Sequence, residues 1–193
     1  MPAVFEAIGR IDFAAFQWLR AHHWPFLDPV MAGLSDIARG GAIWIGLALL
    51  SAVLHPSRWP AATQVVLAVV LTGLLSDHVA KPLFNRARPF ESYAETQVYG
   101  YRPTTRSLPS GHAAQAVAAA YALSRLAPDA RNIFWFLCLM VAWSRVYLGV
   151  HYPVDLIAGA LLGAAVAKFV VGGTTWRFAD RSAAEVSPIS AGE

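Results

Sequence analysis

Charge is what this chain has least of. Asp, Glu, Lys and Arg together make up 14% of its 193 residues, where a soluble domain carries about 25%. With 56% hydrophobic residues and a mean hydropathy of +0.46, an ordinary water-soluble globule is excluded, and a polytopic membrane protein is the reading that remains. Cysteine is nearly absent: Cys138 stands alone in an apolar run, which rules out an intrachain disulfide and fits burial as a small hydrophobe. No internal repeat is visible. The N-terminus MPAVFEAIGR lacks the basic region and apolar core of a cleaved signal peptide. The net charge of +3 is too small to argue for nucleic acid. Apart from the histidines considered below, no Cys or carboxylate cluster has metal-ligand character; two histidines could ligate zinc, but a third ligand is not evident.

The apolar residues that dominate the chain fall into segments. Residues 3–20 have a helical period, with Val4, Ile8, Ile11, Ala15 and Trp18 on one face, as in a helix lying in a membrane interface or packed on the protein's own surface. Trp18, His22, His23 and Trp24 suit the headgroup region. A membrane-embedded segment follows over 28–55, with Asp36 and Arg39 in its amphipathic first half and Gly40-Gly41 marking a bend. Further apolar runs cover 61–84, 110–126, 132–148 and 153–171, each near the ~20 residues that span a hydrocarbon core. The expected fold is therefore all-α: a polytopic membrane helix bundle of about five transmembrane helices plus an N-terminal interfacial helix, occupying 1–172. The polar tail 173–193 is expected to be disordered.

Five crossings place the polar loop 85–109 and the tight turn 149–152 on one side, so Lys81, Ser110, Arg145 and Asp155 converge at one membrane face. Three segments there carry chemistry. In KPLFNRARP, Lys81 and Arg88 are seven residues apart, two turns if helix persists past Pro82, and Arg86 adds a third cation. Such a cluster suits phosphate oxygens, although alone it equally describes a headgroup anchor. Asp77, four residues before Lys81, is placed to hold that lysine by an ion pair. In SLPSGHAAQ, Ser110 is an N-cap and Gly111-His112 open a helix whose free N–H groups can receive an anion; alone this is also an ordinary capped helix. In SRVYLGVHYPVD, Asp155 follows His151 by four, and a carboxylate so placed can hold one ring nitrogen protonated and turn the other outward as a nucleophile. Alone, this is also a polar hairpin between spans.

Together the three segments resemble the type 2 phosphatidic acid phosphatase (PAP2) superfamily of membrane lipid phosphatases: Lys81-x6-Arg88-Pro89, Pro109-Ser110-Gly111-His112, and Ser144-Arg145-x5-His151-x3-Asp155 with Gly149 inside it. The motifs span 81–155. The resemblance implies that Lys81, Arg88 and Arg145, with Ser110 and the Gly111 amide, bind the phosphate. It implies that His151 attacks phosphorus, that Asp155 orients it, and that His112 protonates the leaving oxygen and then activates water. It implies no metal and no cofactor, a lipid phosphate as substrate, and a site facing away from the cytoplasm, on the periplasmic or extracellular side of a bacterial cell membrane. The chain departs from the family's six-span pattern by beginning with the interfacial helix; five spans put its tail in the cytoplasm. Its compactness resembles the bacterial undecaprenyl-diphosphate phosphatases, with phosphatidate, phosphatidylglycerophosphate and lipid A phosphate as the other substrates. A vanadium haloperoxidase shares the anion pocket but is soluble, and a non-catalytic lipid-binding scaffold would not need His112, His151 and Asp155 together. Arg102 and Arg106 match no motif; they either meet headgroups or solvent, or select a diphosphate.

Overall fold

The computed structural model describes residues 2–173, so the tail beyond them lies outside the described residues. Its elements are helical throughout: α1 (Pro2–Ala21), α2 (Asp28–Ile37), α3 (Ala42–Leu54), α4 (Trp59–Leu74), α5 (Lys81–Phe84), α6 (Pro89–Ser92), α7 (Gly111–Leu126), α8 (Arg131–Tyr147) and α9 (Pro153–Val171), with short 3₁₀ turns between them. α7 is the hub, packed on α9, α4 and α8. Seven of its alanines, among them Ala114, Ala118 and Ala122, are fully buried, and such small side chains let neighbouring backbones come close without a large apolar wedge between them. The approach is tightest along α9. A methyl group on Gly163 would lie 2.1 Å from the Ala114 carbonyl oxygen, and one on Gly159 would lie 2.5 Å from that of Ser110. Away from the polar end, Trp44, Val65, Val69, Leu123, Leu126, Val141 and Val171 form the core, and Cys138 is buried among them.

The outer surface is as apolar as the core. Leu50, Val53 and Leu54 on α3, Leu67 on α4, Leu139 on α8, and Ile157, Leu161 and Phe169 on α9 are all exposed. In water so much apolar surface would drive association; in a bilayer these side chains meet their own kind of solvent, while the helical backbone satisfies itself. The stretch Pro56–Ser92 and helix α9 are each long and apolar enough to cross a membrane. A third span results if α2 and α3, bent by 50° where they meet, are taken as one. The bend falls at Gly40-Gly41, both with left-handed φ, as their pairing in the sequence implied. α7 and α8, of 16 and 17 residues, are shorter than the ~20 of a full crossing, so length and composition alone do not reach the expected five.

α1 uses both of its faces. Asp12 and Phe16 are buried against α8 and α9, whereas Ile11 and Trp18 of the predicted apolar face remain 70% and 65% exposed. The helix is thus packed on the protein and still presents an apolar side outward. The side chains of Val4 and Ile8 lie outside the described residues.

Candidate active site

The polar ends of the helices enclose a cavity of about 220 Å³. Of the eight residues singled out in the sequence, Lys81, Arg88, Gly111, His112, Arg145 and His151 line it; Asp155 and Ser110 stand directly behind. Lys81 reaches the cavity at the end of a π-helical stretch, Leu75–Ala80, a local widening that re-aims the side chains beyond it. Its ammonium pairs with Asp77 at 2.7 Å and donates to Thr105 Oγ1 at 3.0 Å.

Helix does not carry Lys81 and Arg88 to a common side. It stops at Asn85, which adopts a left-handed conformation (φ 46°), a helix-ending role that asparagine tolerates. Arg88 is instead the extended residue before α6, and the two cations meet through the loop. Arg88 donates to the carbonyl oxygens of Thr105 (2.6 Å), Val150 (2.8 Å) and Arg106 (3.1 Å), and to Thr105 Oγ1 (3.2 Å). A guanidinium with its fork set by four acceptors is a rigid, buried positive charge. Arg145, at the end of α8, donates to Ser35 Oγ; its Nε is buried with no hydrogen-bond partner among the described residues.

His151 lies in the tight turn after α8, 2% exposed. Its Nδ1 faces Asp155 Oδ2 at 3.3 Å and its Nε2 faces Arg88 Nη1 at 3.2 Å. Asp155 can only accept, so the proton sits on Nδ1, and Nε2, at the cavity wall, accepts from Arg88 Nη1. Burial pushes the imidazole down to about 3; the hydrogen bond it donates to Asp155 opposes this, and the Arg88 and Arg145 charges add to it. The ring is therefore neutral at physiological pH. Asp155 is itself held by four donors: the Tyr152 amide (2.9 Å), Ser107 Oγ, His151 Nδ1 and Arg86 Nη1 (2.7 Å). Arg86 spans two carboxylates, its other terminal nitrogen donating to Asp12 Oδ2 at 2.6 Å. Asp12 in turn accepts from the Val154 amide at 2.9 Å, which ties α1 to the first turn of α9.

His112, in the first turn of α7, donates from Nε2 to the Ser35 carbonyl at 3.1 Å. Ser110 is the N-cap, its Oγ accepting from the Ala113 amide at 3.5 Å. That hydroxyl is fully buried and serves the helix rather than the cavity. Among the described residues no group of three or more His, Cys, Asp or Glu side chains could hold a metal ion.

The sequence did not point to Asp12, Ser35, Thr105 or Ser107. They are polar residues in polar or amphipathic stretches, and nothing local marks them. It also left Arg39 without a role, yet Arg39 lines the cavity. Arg106 does the reverse: its side chain is exposed and outside the cavity, and only its carbonyl takes part. In the loop segment 105–107 the Thr105 and Ser107 hydroxyls meet Lys81 and Asp155, whereas the Arg106 side chain is exposed. Arg102 likewise points away, over the Phe90 ring.

The bundle has an apolar outer surface and one polar end, where three cations surround a neutral, carboxylate-held histidine, an arrangement suited to an anion. Comparison with known proteins places it further. Residues 61–179 match the model of the PAP2 superfamily. The chain is 33% identical to an undecaprenyl-diphosphatase of Sulfolobus acidocaldarius over 71% of its length and 66% of that protein's. It is 32% identical to a lipid A 4'-phosphatase of Porphyromonas gingivalis over 86% of its length and 73% of that protein's. Among solved structures, LpxE of Aquifex aeolicus superposes with a TM-score of 0.72 at 23% identity, covering 83% of this chain and 94% of that one. A phosphatidylglycerolphosphate phosphatase of Bacillus subtilis gives 0.71 at 24%, covering 86% and 85%. A bacterial vanadium-dependent iodoperoxidase shares the fold at 0.61 and 20% identity, covering 74% and 42%. The chain belongs to the PAP2 superfamily and is an integral membrane phosphatase of that family.

Proposed function

We propose that the protein hydrolyses a lipid phosphate through a phosphohistidine formed on His151. The observation that carries this is the setting of Nε2: its partner nitrogen is held by Asp155, it is itself beside Arg88, and it opens on a cavity lined also by Lys81 and Arg145. In the first step Nε2 of His151 attacks phosphorus, the bond to the leaving oxygen breaks, and His112, as the imidazolium, gives that oxygen its Nδ1 proton while its Nε2–H stays on the Ser35 carbonyl. In the second, water attacks the phosphohistidine, His112 takes the water's proton, the N–P bond breaks and phosphate departs. Lys81, Arg88, Arg145 and the Gly111 amide neutralise the phosphoryl oxygens, whose charge spreads in the transition state. Ser110 acts by capping α7, and Asp155 by fixing the tautomer and orientation of His151.

The substrate we favour is a polyprenyl diphosphate, undecaprenyl diphosphate going to the monophosphate; similarity to an undecaprenyl-diphosphatase supports it. A lipid A phosphate is the second reading, supported by the longer match to a lipid A 4'-phosphatase. Five spans, counting α2–α3 as one bent crossing with α4, α7, α8 and α9, would put the cavity at one face of a bacterial cell membrane, away from the cytoplasm, with the lipid chain entering sideways.

His151→Ala should abolish turnover in detergent, a loss of at least about 10⁴-fold as for other nucleophiles that act as part of a unit. Wild-type protein given phosphate-labelled substrate should carry an acid-labile, base-stable label that the variant lacks. Turnover retained by His151→Ala sinks the mechanism.

A further inference from the structure

We propose that Arg39 is a specificity-determining residue that binds the leaving phosphate of a lipid diphosphate. This rests on the reading above and says which side of the scissile bond each cation serves. Four cations line the cavity: Lys81, Arg88, Arg145 and Arg39. Three of them belong to the end where His151 stands. Arg88 approaches His151 directly, Lys81 joins Arg88 through Thr105, and Arg145 ends the helix that leads into the His151 turn.

Arg39 belongs to another wall. It follows α2 at the Gly40-Gly41 bend, four residues after Ser35, whose carbonyl accepts from His112. In an in-line displacement the nucleophile and the leaving oxygen lie on opposite sides of phosphorus, so the proton donor marks the leaving-group side. Arg39 is the cation carried in sequence on the stretch that holds that donor; Arg145 also reaches this stretch, through the Ser35 hydroxyl, from the end of α8.

Its environment also differs in kind. The donors of Arg88 are committed to three backbone carbonyls, the Thr105 hydroxyl and His151, whereas Arg39 is half-exposed, paired with Asp36 at 2.5 Å and set over the Tyr101 ring at 4.0 Å. An exposed pair of this sort is worth little, and a guanidinium carries five N–H donors, so Arg39 keeps donors for a ligand. Its stacking on Tyr101 limits where they point.

A phosphomonoester releases an alcohol, whose oxygen is neutral once His112 has protonated it, and offers Arg39 nothing. A diphosphate releases a lipid phosphate, whose negative charge grows as the bridging P–O bond breaks. A cation there stabilises the transition state more than the ground state and should act on kcat as well as KM. Arg106, the other arginine considered for this role, has its side chain outside the cavity.

The experiment compares farnesyl diphosphate with farnesyl monophosphate in one detergent, measuring kcat/KM for each, or the inhibition constant where one is bound but not turned over. Arg39→Ala should lower the diphosphate-to-monophosphate ratio roughly 10- to 100-fold, the scale of a lost hydrogen bond to a charged group. Arg39→Lys should restore part of it, and Arg106→Ala should leave the ratio as in wild type. An unchanged ratio in Arg39→Ala, with wild-type turnover intact, overturns this assignment and leaves the phosphatase reading standing. A wild type that hydrolyses neither substrate nor any other lipid phosphate fails that reading instead. If Arg39→Ala does not fold, Arg39→Gln and competition of the wild type by methylenediphosphonate against phosphate decide it. Equal inhibition by the two anions counts against a second phosphate subsite.

Discussion

The ion pair of Lys81 and the ion pairs of Arg86, both beside the cavity, are built differently. Lys81 is held by Asp77 one helical turn before it, and that carboxylate is 47% exposed. Arg86 bridges Asp12 and Asp155, whose side chains are 1% and 0% exposed, across three separate parts of the chain. The first is an orienting contact between neighbours, which water and salt can replace at small cost. The second is a buried junction. It couples α1, the loop after α5 and the first turn of α9, and it ends on the carboxylate that sets the tautomer of His151. Removing Arg86 leaves two buried carboxylates without their cation, and this is where such pairs become costly.

Breaking the buried junction should therefore have the largest consequence. Arg86→Ala is expected to lower stability by about 3–5 kcal/mol and kcat/KM by more than ~100-fold, read from thermal unfolding and turnover in the same detergent. Arg86→Lys, which keeps the charge but not the fork that spans two carboxylates, should recover more stability than activity. Asp12→Asn, which can still accept from the Val154 amide, should reduce kcat with KM little changed. A stability loss below 1 kcal/mol in Arg86→Ala would falsify the junction.

A pH series sharpens the same contrast. Burial holds His151 at about 3 in the folded protein, against about 6.5 when unfolded. The unfolded state therefore binds the extra proton first, and the stability this histidine confers is present in full above about pH 6.5 and declines as pH falls toward 3. The melting temperature of the wild type should fall between pH 7 and pH 4 by more than that of His151→Gln, which cannot take up the proton. Parallel curves for the two proteins would mean that the ring is not the group responsible.

The smallest effect belongs to the exposed pair. Asp77→Asn should cost at most about 1 kcal/mol. It should raise KM a few-fold, and the difference should shrink as salt is added, because exposed charges are screened within about 10 Å at 0.1 M. A loss as large as that of Arg86→Ala would erase the distinction between the two sets.

The same distinction explains what could be read from the sequence. Asp77 and Lys81, His151 and Asp155, and Ser110 and Ala113 each lie within four residues of one another, and helical geometry turns those spacings into contacts. The Gly40-Gly41 bend and Pro153 opening α9 are local in the same way. Ser107 meets Asp155 across 48 residues and Arg86 meets Asp12 across 74, and no periodicity encodes such pairings. Where local reasoning went too far, a backbone detail decided: the left-handed Asn85 ended the helix that was to align Lys81 with Arg88, and the course of the 105–107 loop left Arg106 exposed. The spans gave a similar result. Hydropathy located the long helices and left the short α6 inside the polar loop 85–109, but α7, enclosed by its neighbours, needs neither the length nor the lipid-facing residues of a free-standing crossing.

The closeness of α9 to α7 has a bearing on engineering. Replacing a mid-helix glycine by alanine is a common way to make a helical protein more robust, since it removes about 1 kcal/mol of helix-propensity deficit. At Gly159 and Gly163 the same exchange would drive a methyl group into the backbone of α7, beside the Ser110 amide that donates to the Asp155 carbonyl at 2.9 Å. A thermostabilising library built on composition alone would choose these two positions early, and at both of them it would pry apart the seam that keeps the helix of Asp155 in register with the one that His112 opens.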